Sequence, residues 1–381
     1  MKSRYYAIFL FVALPLPTCA EDKPVAAFAP EGFDSLWGLA TLYKNDSNSI
    51  LEAFKLRGRY QGQYHWVDSD QGTEDCWEDR RSRIGFDAKM FQKHIEIRAD
   101  FQSNNGFVDP YDRLVDAYIR WKPNDFVSVT VGKTKPLIGY YDWMQSTNAE
   151  PTFERSQIFN QLGIDRATGL TVEGKSDKFT WQVGVYSNDM DREFGSFDGE
   201  LSISGGFGYD AKKHLGWKRA DFRLDWLRSG HDEDDEVMLS YDNIISATFW
   251  GQDGLWGIVV EGFYGVGQVA DKGDAFGFYI QPTYDLIPNR LQLVGRYSFA
   301  TGDGNASLSG QRRYERSAPD LIPAGKAQGD QYNAIYLGLQ YFIFGDQLKL
   351  LAGAEYANLN GGTPSDDYEG VTFLTGVRIS F

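Results

Sequence analysis

Two short segments hold the residues best suited to chemistry. Gly132-Lys133-Thr134-Lys135-Pro136-Leu137-Ile138-Gly139 places two ammonium groups at spacing two, and Phe153-Glu154-Arg155-Ser156 follows within the same polar segment, 133–165. A guanidinium presents a planar fork that matches the oxygens of phosphate-like anions, and a lysine offers a compact positive charge. Lys133, Lys135 and Arg155 are therefore the candidates for holding a small oxyanion. A structural use competes with this one, in which Glu154 and Arg155 pair with charges on a surrounding wall and pin the segment in place. A second basic set, Lys55, Arg57 and Arg59, repeats every two residues, and Arg83, Arg98, Arg120 and Arg223 share its strand parity. Asp87, Glu96, Asp100, Asp116, Asp221 and Asp225 share that parity too, so the alternative here is a neutral lattice of ion pairs.

Nothing in the chain supports catalysis. His65, His94, His214 and His231 are scattered without metal-ligand spacing, and no nucleophile, base and carboxylate can be grouped from the sequence. The glycines of Gly262 to Gly267 sit in a strand pattern with no helix behind them, which is not the context of a nucleotide-binding turn. No cofactor or metal is expected, and the chain is not read as an enzyme.

The elements that must position these residues are strands. Phe54, Leu56, Tyr60 and Tyr64 alternate with Lys55, Arg57, Arg59, Gln61 and Gln63. The same period of two recurs at Ile84 to Met90, Ile95 to Phe101, Val115 to Trp121, Val127 to Val131, Phe179 to Val185, Ala220 to Trp226, Ile335 to Tyr341 and Leu348 to Tyr356. One face is almost purely apolar, while the other carries Lys, Arg, Asp, Glu and Gln. About sixteen strands are expected by this reading. Their connections alternate in length. Short turns fall at 92–93, 123–125, 175–178, 211–214, 252–254, 288–289 and 344–347, and longer polar segments at 67–80, 103–113, 133–165, 188–199, 229–236, 269–274, 301–331 and 359–369. Short turns at one rim and long loops at the other are the asymmetry of a transmembrane β-barrel.

Both ends of the chain agree with that class. Lys2 and Arg4, the apolar run Tyr6 to Leu16 and Thr18-Cys19-Ala20 read as a cleaved signal peptide over residues 1–20. A periplasmic N-terminal segment, 21–48, then precedes an outer-membrane barrel, 49–381, with 36–43 expected as a short helix or a strand at the rim. Val371 to Phe381 is a strand that stops on an aromatic residue. An apolar edge strand at a chain end is a liability in water, and closure of a barrel removes the edge. Cleavage leaves Cys76 as the one cysteine, so no intramolecular disulfide is expected. The 381-residue chain is rich in aromatic residues (15%) and glycine (41) with no long apolar run, as suits a wall in which alternate residues meet lipid. Its net charge of −15, which becomes −17 on loss of Lys2 and Arg4, opposes binding to nucleic acid. Acidic loop residues, such as Asp68 to Asp79, offer carboxylates to cations that bridge lipopolysaccharide, or are solvated faces.

The paired segments of 133–165 resemble those of the phosphate-selective porin O and P family, whose members combine a G-K-x-K-x-P-like stretch with a downstream F-x-E-R-S-like stretch. Here Pro136 directly follows Lys135, and Phe153-Glu154-Arg155-Ser156 lacks the spacer. The C-terminal strand also resembles the assembly signal of bacterial outer-membrane barrels. The resemblance implies a multi-pass barrel in a Gram-negative-type outer membrane, a third loop folded into the lumen, small anionic solutes such as phosphate, and a homotrimer. Passive diffusion of small hydrophilic solutes, anions favoured, is the reading adopted. A general or cation-preferring porin, a non-conducting barrel serving as adhesin or anchor, and a soluble secreted all-β protein are the alternatives.

Overall fold

The structure, a computed structural model, describes residues 32–104, 108–189, 193–198, 200–230, 241–267, 273–303, 307–322, 327–361 and 367–381. Residues 1–20, expected as a signal peptide, His231 and most of segment 229–236 lie outside the described residues.

In chain order the elements are α1 (Phe33–Gly38), β1 (Thr41–Lys44), β2 (Leu51–Ser69), β3 (Gly72–Met90), β4 (Ile95–Asn104), β5 (Asp109–Trp121), β6 (Val127–Thr134), α2 (Gln157–Leu162), β7 (Ala167–Lys175), β8 (Phe179–Ser187), β9 (Leu201–Asp210), α3 (Lys212–Leu215), β10 (Arg219–Arg228), β11 (Tyr241–Asp253), β12 (Trp256–Gly267), β13 (Ala275–Ile287), β14 (Leu291–Gly302), β15 (Leu308–Ser309), α4 (Arg312–Ser317), β16 (Gln328–Gly329), β17 (Gln331–Phe344), β18 (Leu348–Asn360) and β19 (Tyr368–Ser380). Sixteen of the strands form a closed antiparallel barrel, in which each pairs with the next and β19 returns to β2. Closure satisfies the backbone groups that an open edge would leave bare in lipid.

The seam is where the terminal strand was expected. Ser380 pairs with Arg59, and Phe381 exchanges backbone hydrogen bonds with Gly58 at 3.0 and 3.2 Å. Beyond this point β2 extends past β19, and β1 takes over as its partner on that edge, Tyr43 opposite Phe54 and Lys44 opposite Ala53. Trp37 of α1 donates from Nε1 to the Ser380 carbonyl at 2.6 Å and packs on Phe344, so the N-terminal segment lies across the seam.

Alternation puts the apolar face outside. Leu337, Ile335 and Phe373 are 59%, 55% and 50% exposed, a continuous apolar wall that suits lipid and not water. Outward aromatic pairs mark the rims: Phe179–Phe207, Phe222–Phe249 and Trp256–Tyr284 near the short turns, Trp66–Phe373 and Phe278–Phe299 near the opposite end. No helix among the described residues is long and apolar enough to cross a membrane; the strands make the crossings.

One connection differs from expectation. Segment 67–80, read as a long loop, is strand on both sides of a two-residue turn, Asp70-Gln71. Its two faces are both polar, with Glu74 and Glu78 on one and Asp75 and Asp79 on the other, so no period of two survives to be read. The pairing also slips between Gln61 and Gly62, leaving Arg80 as an extra residue in β3. Such a bulge re-aims the side chains around it.

Candidate functional site: the lumen constriction

The third outer connection, between β6 and β7, folds into the barrel. Its entry rests on Gly132, whose φ of +129° and tight approach to the Ala117 carbonyl, 2.2 Å from an added Cβ, admit only glycine. The loop is then fastened to inward side chains from around the wall. Gln182 of β8 donates to the Leu137 carbonyl at 3.0 Å, and the Gly139 amide donates to Ser246 Oγ of β11 at 3.1 Å. Glu261 of β12 accepts from the amides of Tyr141 and Asp142 at 3.0 and 2.8 Å. Arg296 of β14 donates to Thr152 Oγ1 and to the Glu154 carbonyl. On β18, Lys349 donates to the Glu150 carbonyl at 3.2 Å.

The terminal strand adds a charged anchor to this docking. Arg378 donates to the carbonyls of Thr147, Thr152 and Phe153 at 2.7, 3.0 and 2.9 Å. Gly376, two residues earlier, leaves space for the Phe153 ring, which an added Cβ would approach to 3.0 Å. Phe153 is 1% exposed, a burial worth about 1.5–3 kcal/mol. Inside the loop, Ser156 caps α2 by accepting from the Phe159 amide, and both its amide and hydroxyl donate to Asp142 Oδ2. Ile138, Trp143, Ile158, Phe159 and Leu162 of the loop join one apolar cluster with wall residues such as Tyr186, Tyr241 and Phe263.

The docked loop leaves a cavity of about 290 Å³ between itself and the wall of β2 to β5. Arg59, Arg80, Arg81, Arg83 and Arg113 line it from the wall, and Lys133, Lys135, Arg155 and Arg166 from the loop and its flanks. Asp165 is the one acidic residue among the described lining. All three residues expected from the loop motifs thus face one space with Arg59 and Arg83 of the ladder.

Several of these cations have neutral partners. Arg59 donates to Thr147 Oγ1 and Ser146 Oγ, Arg83 to Gln102 Oε1, and Arg81 to Gln61 Oε1. Lys135 donates to the carbonyls of Trp143 and Gln145 at 2.7 and 3.0 Å, and Arg155 to that of Asp142 at 2.7 Å. Both lie against the Trp143 ring, at 5.0 and 4.8 Å from its centroid. Lys133 donates to the Glu193 carbonyl. Arg166 and Arg113 are paired, with Asp116 and with Asp112.

The rest of the expected ladder lies elsewhere in the lumen. Lys55 and Arg57 line a cavity of about 350 Å³ on the side of the short turns, which Arg59 and Arg83 share with the constriction. Arg57 bridges Asp87 and Asp100 at 2.8 and 3.0 Å, and Arg98 pairs with Asp87 at 2.6 Å, so an ion-pair lattice occupies that level. Arg120 donates to Thr130 and lies over Tyr118. Arg223, on the distant strand β10, pairs with Asp225 and faces Tyr140.

Arg80, Arg81, Arg113 and Arg166 were not foreseen. Arg80 and Arg81 sit at the bulge in a stretch without visible period, and the other two flank loops. A second inward segment was also missed. Around α4, Arg313 pairs with Glu355, Arg316 with Glu78 and Glu154, and Ser317 Oγ meets His65 Nδ1 at 2.5 Å. His65 Nε2 lies 3.4 Å from Glu78, which completes a serine, histidine and carboxylate row. Ser317 and His65 are both 0% exposed, so no substrate reaches the hydroxyl and the row acts as a latch for α4. Among the described residues no cluster suited to a metal ion occurs.

A closed 16-stranded barrel with an apolar outer wall and a lumen narrowed by an inward loop defines an outer-membrane porin, a transport channel that crosses the membrane many times. Residues 54–220, from β2 into β10, match the family model described as phosphate-selective porin O and P. Solved structures of similar fold include OmpF of Salmonella typhi in complex with daunomycin (12% identity, TM-score 0.62, 90% of this chain and 100% of that one). OprB of Pseudomonas putida (13%, 0.58, 86% and 94%) and the outer membrane channel DcaP of Acinetobacter baumannii (10%, 0.57, 89% and 100%) are also similar. Comparison with curated protein sequences gave no match.

Proposed function

We propose that this porin passes small anions in preference to cations, with phosphate or a similar oxyanion as its solute and Arg59, Arg81, Arg83, Lys135 and Arg155 as its selectivity residues. The observation that carries the reading is the lining of the constriction, nine basic residues against one acidic. Positive charge fixed at the narrowest point, between walls of low dielectric, lowers the energy of an anion there and raises that of a cation. The acidic balance of the whole chain does not decide the matter, because much of it lies outside this space. Lys55 and Arg57 extend the basic path toward the side of the short turns, and the shared cavity wall at Arg59 and Arg83 gives an anion adjoining stations. Binding at several weak sites in series permits both entry and release. We further propose that the signal peptide directs export, that the barrel meets outer-membrane lipid and lipopolysaccharide, and that three copies associate. An in-vitro folded OmpT of Vibrio cholerae, of similar fold at 12% identity and a TM-score of 0.51, is described in a trimer form.

Chloride current through single channels, titrated with phosphate at constant ionic strength, tests the solute. Partial block at millimolar phosphate, relieved by Arg155→Gln with Lys135→Gln, is expected. Current that ignores phosphate while following chloride would leave an anion pore without an oxyanion site and overturn the solute assignment.

A further inference from the structure

Glu154 is a carboxylate of the inward loop that stands beside Arg81 of the basic eyelet. It is 3% exposed and held from two directions. Arg80 of the β3 bulge donates to Oε1 and Oε2 at 2.6 and 3.2 Å. Arg316, from the last turn of α4, donates to Oε1 at 2.8 Å, and its Nε reaches Glu78 Oε1 at 2.5 Å. Arg81 Nη2 stands 4.0 Å from Glu154 Oε2, at the limit of an ion pair. Three guanidiniums therefore face two carboxylates here, with His65 beside Glu78. Arg80 and Arg316 occupy both carboxylates, which leaves the charge of Arg81 to the cavity that it lines.

We propose that Arg316 is a positioning residue for ion selectivity: by binding Glu154 and Glu78 from outside the constriction loop, it keeps Arg81 available to permeating anions. This inference rests on the anion reading above. Without Arg316, Glu154 draws on Arg81 instead, and the cluster of arginines and carboxylates falls from a net charge of one to zero. A charge of this size within ion-contact distance changes the permeability ratio by roughly threefold to tenfold at moderate salt.

The test is the zero-current potential of purified channels in a KCl gradient, for the wild type, Arg316→Ala, Arg316→Lys, Glu154→Gln and Arg316→Ala with Glu154→Gln. Heat-modifiable gel migration reports the folding of each. Arg316→Ala is expected to lower anion over cation permeability severalfold, Arg316→Lys to retain most of it, and Glu154→Gln to raise it. The double variant is expected to return to within twofold of the wild type, because the carboxylate that competes for Arg81 has gone. A double variant as impaired as Arg316→Ala would show that α4 merely came loose, and would overturn the proposal. So would Arg316→Ala channels with wild-type selectivity or, if that variant does not fold, Glu154→Gln channels with an unchanged ratio. Cation preference in the wild type itself would instead refute the anion reading.

Discussion

Arg59 and Arg83 offer the most quantitative prediction. Among the described residues each donates to neutral oxygens, Arg59 to the hydroxyls of Ser146 and Thr147 and Arg83 to the Gln102 amide, and both border the two adjoining cavities. Arg83→Gln thus removes a whole unit of charge from the lumen wall and leaves a side chain that still donates. An ion at about 4 Å interacts with that charge by about 1 kcal/mol in a water-like medium, more where protein replaces water. The sign is opposite for anion and cation, so the selectivity changes by about 2 kcal/mol, or roughly thirtyfold. Screening over a Debye length of about 10 Å at 0.1 M leaves most of this intact at contact distance. Neighbouring Arg81 and Lys135 share the ion and reduce the expected fall to roughly tenfold. The assay is the reversal potential across a planar bilayer in a KCl gradient at 0.1 M, repeated at 1 M, where the shorter Debye length shrinks the difference between variant and wild type. A ratio within twofold of the wild type at low salt, or a rise in anion preference, would refute the reasoning.

Other predictions follow from the docking of the loop. Lys135→Gln and Arg155→Gln lower anion preference more than Lys133→Gln, which single-channel reversal potentials of the three variants would rank; the opposite order would move the selectivity site to the outer side of the loop. Burial and the nearby Glu261 and Glu150 push Asp142 up to about 7. Since the docked pKa lies above the ordinary carboxyl value, the docked loop holds the proton more tightly, and its stability is lost as the pH rises toward about 7. Closures under voltage should therefore be more frequent at pH 8 than at pH 5, and Asp142→Asn should flatten that dependence while keeping an acceptor for Ser156. Arg378→Ala strips three carbonyls of a charged donor, at about 1.5–3 kcal/mol for a bond of that kind, and should loosen the loop: larger, noisier single-channel conductance with an intact heat-resistant barrel is the expected result, and an unchanged conductance would exclude Arg378 as an anchor. Gly132→Val should abolish assembly of heat-modifiable barrel, because its φ and the Ala117 carbonyl leave no room for a side chain.

The barrel was legible because lipid enforces a period of two wherever one face meets it. Phe54, Leu56 and Tyr64, or Ile335, Leu337 and Leu339, announce an outer face, and the short turns mark one rim. Where water meets both faces the signal vanishes, which is why Glu74 to Asp79 read as loop and why Arg80 and Arg81 escaped notice. A bulge adds one residue and reverses parity, and no composition rule marks where that happens. The loop motifs were visible because lysine, arginine and proline fall close together at Lys133 to Pro136. Their convergence on Arg59 and Arg83 was not, since it depends on distant anchors such as Arg378 and Glu261. The C-terminal strand held more than its outer face displayed: Gly376 and Arg378, unremarkable polar-face residues in the sequence, seat the constriction loop.

The central claim is that the inward loop and the arginine wall favour anions at the narrowest point. The zero-current potential of the wild-type channel in a tenfold KCl gradient tests it most directly. A potential of the sign set by chloride, reduced by neutralising Arg59 and Arg83, is the predicted result. A potential of the sign set by potassium would contradict the account.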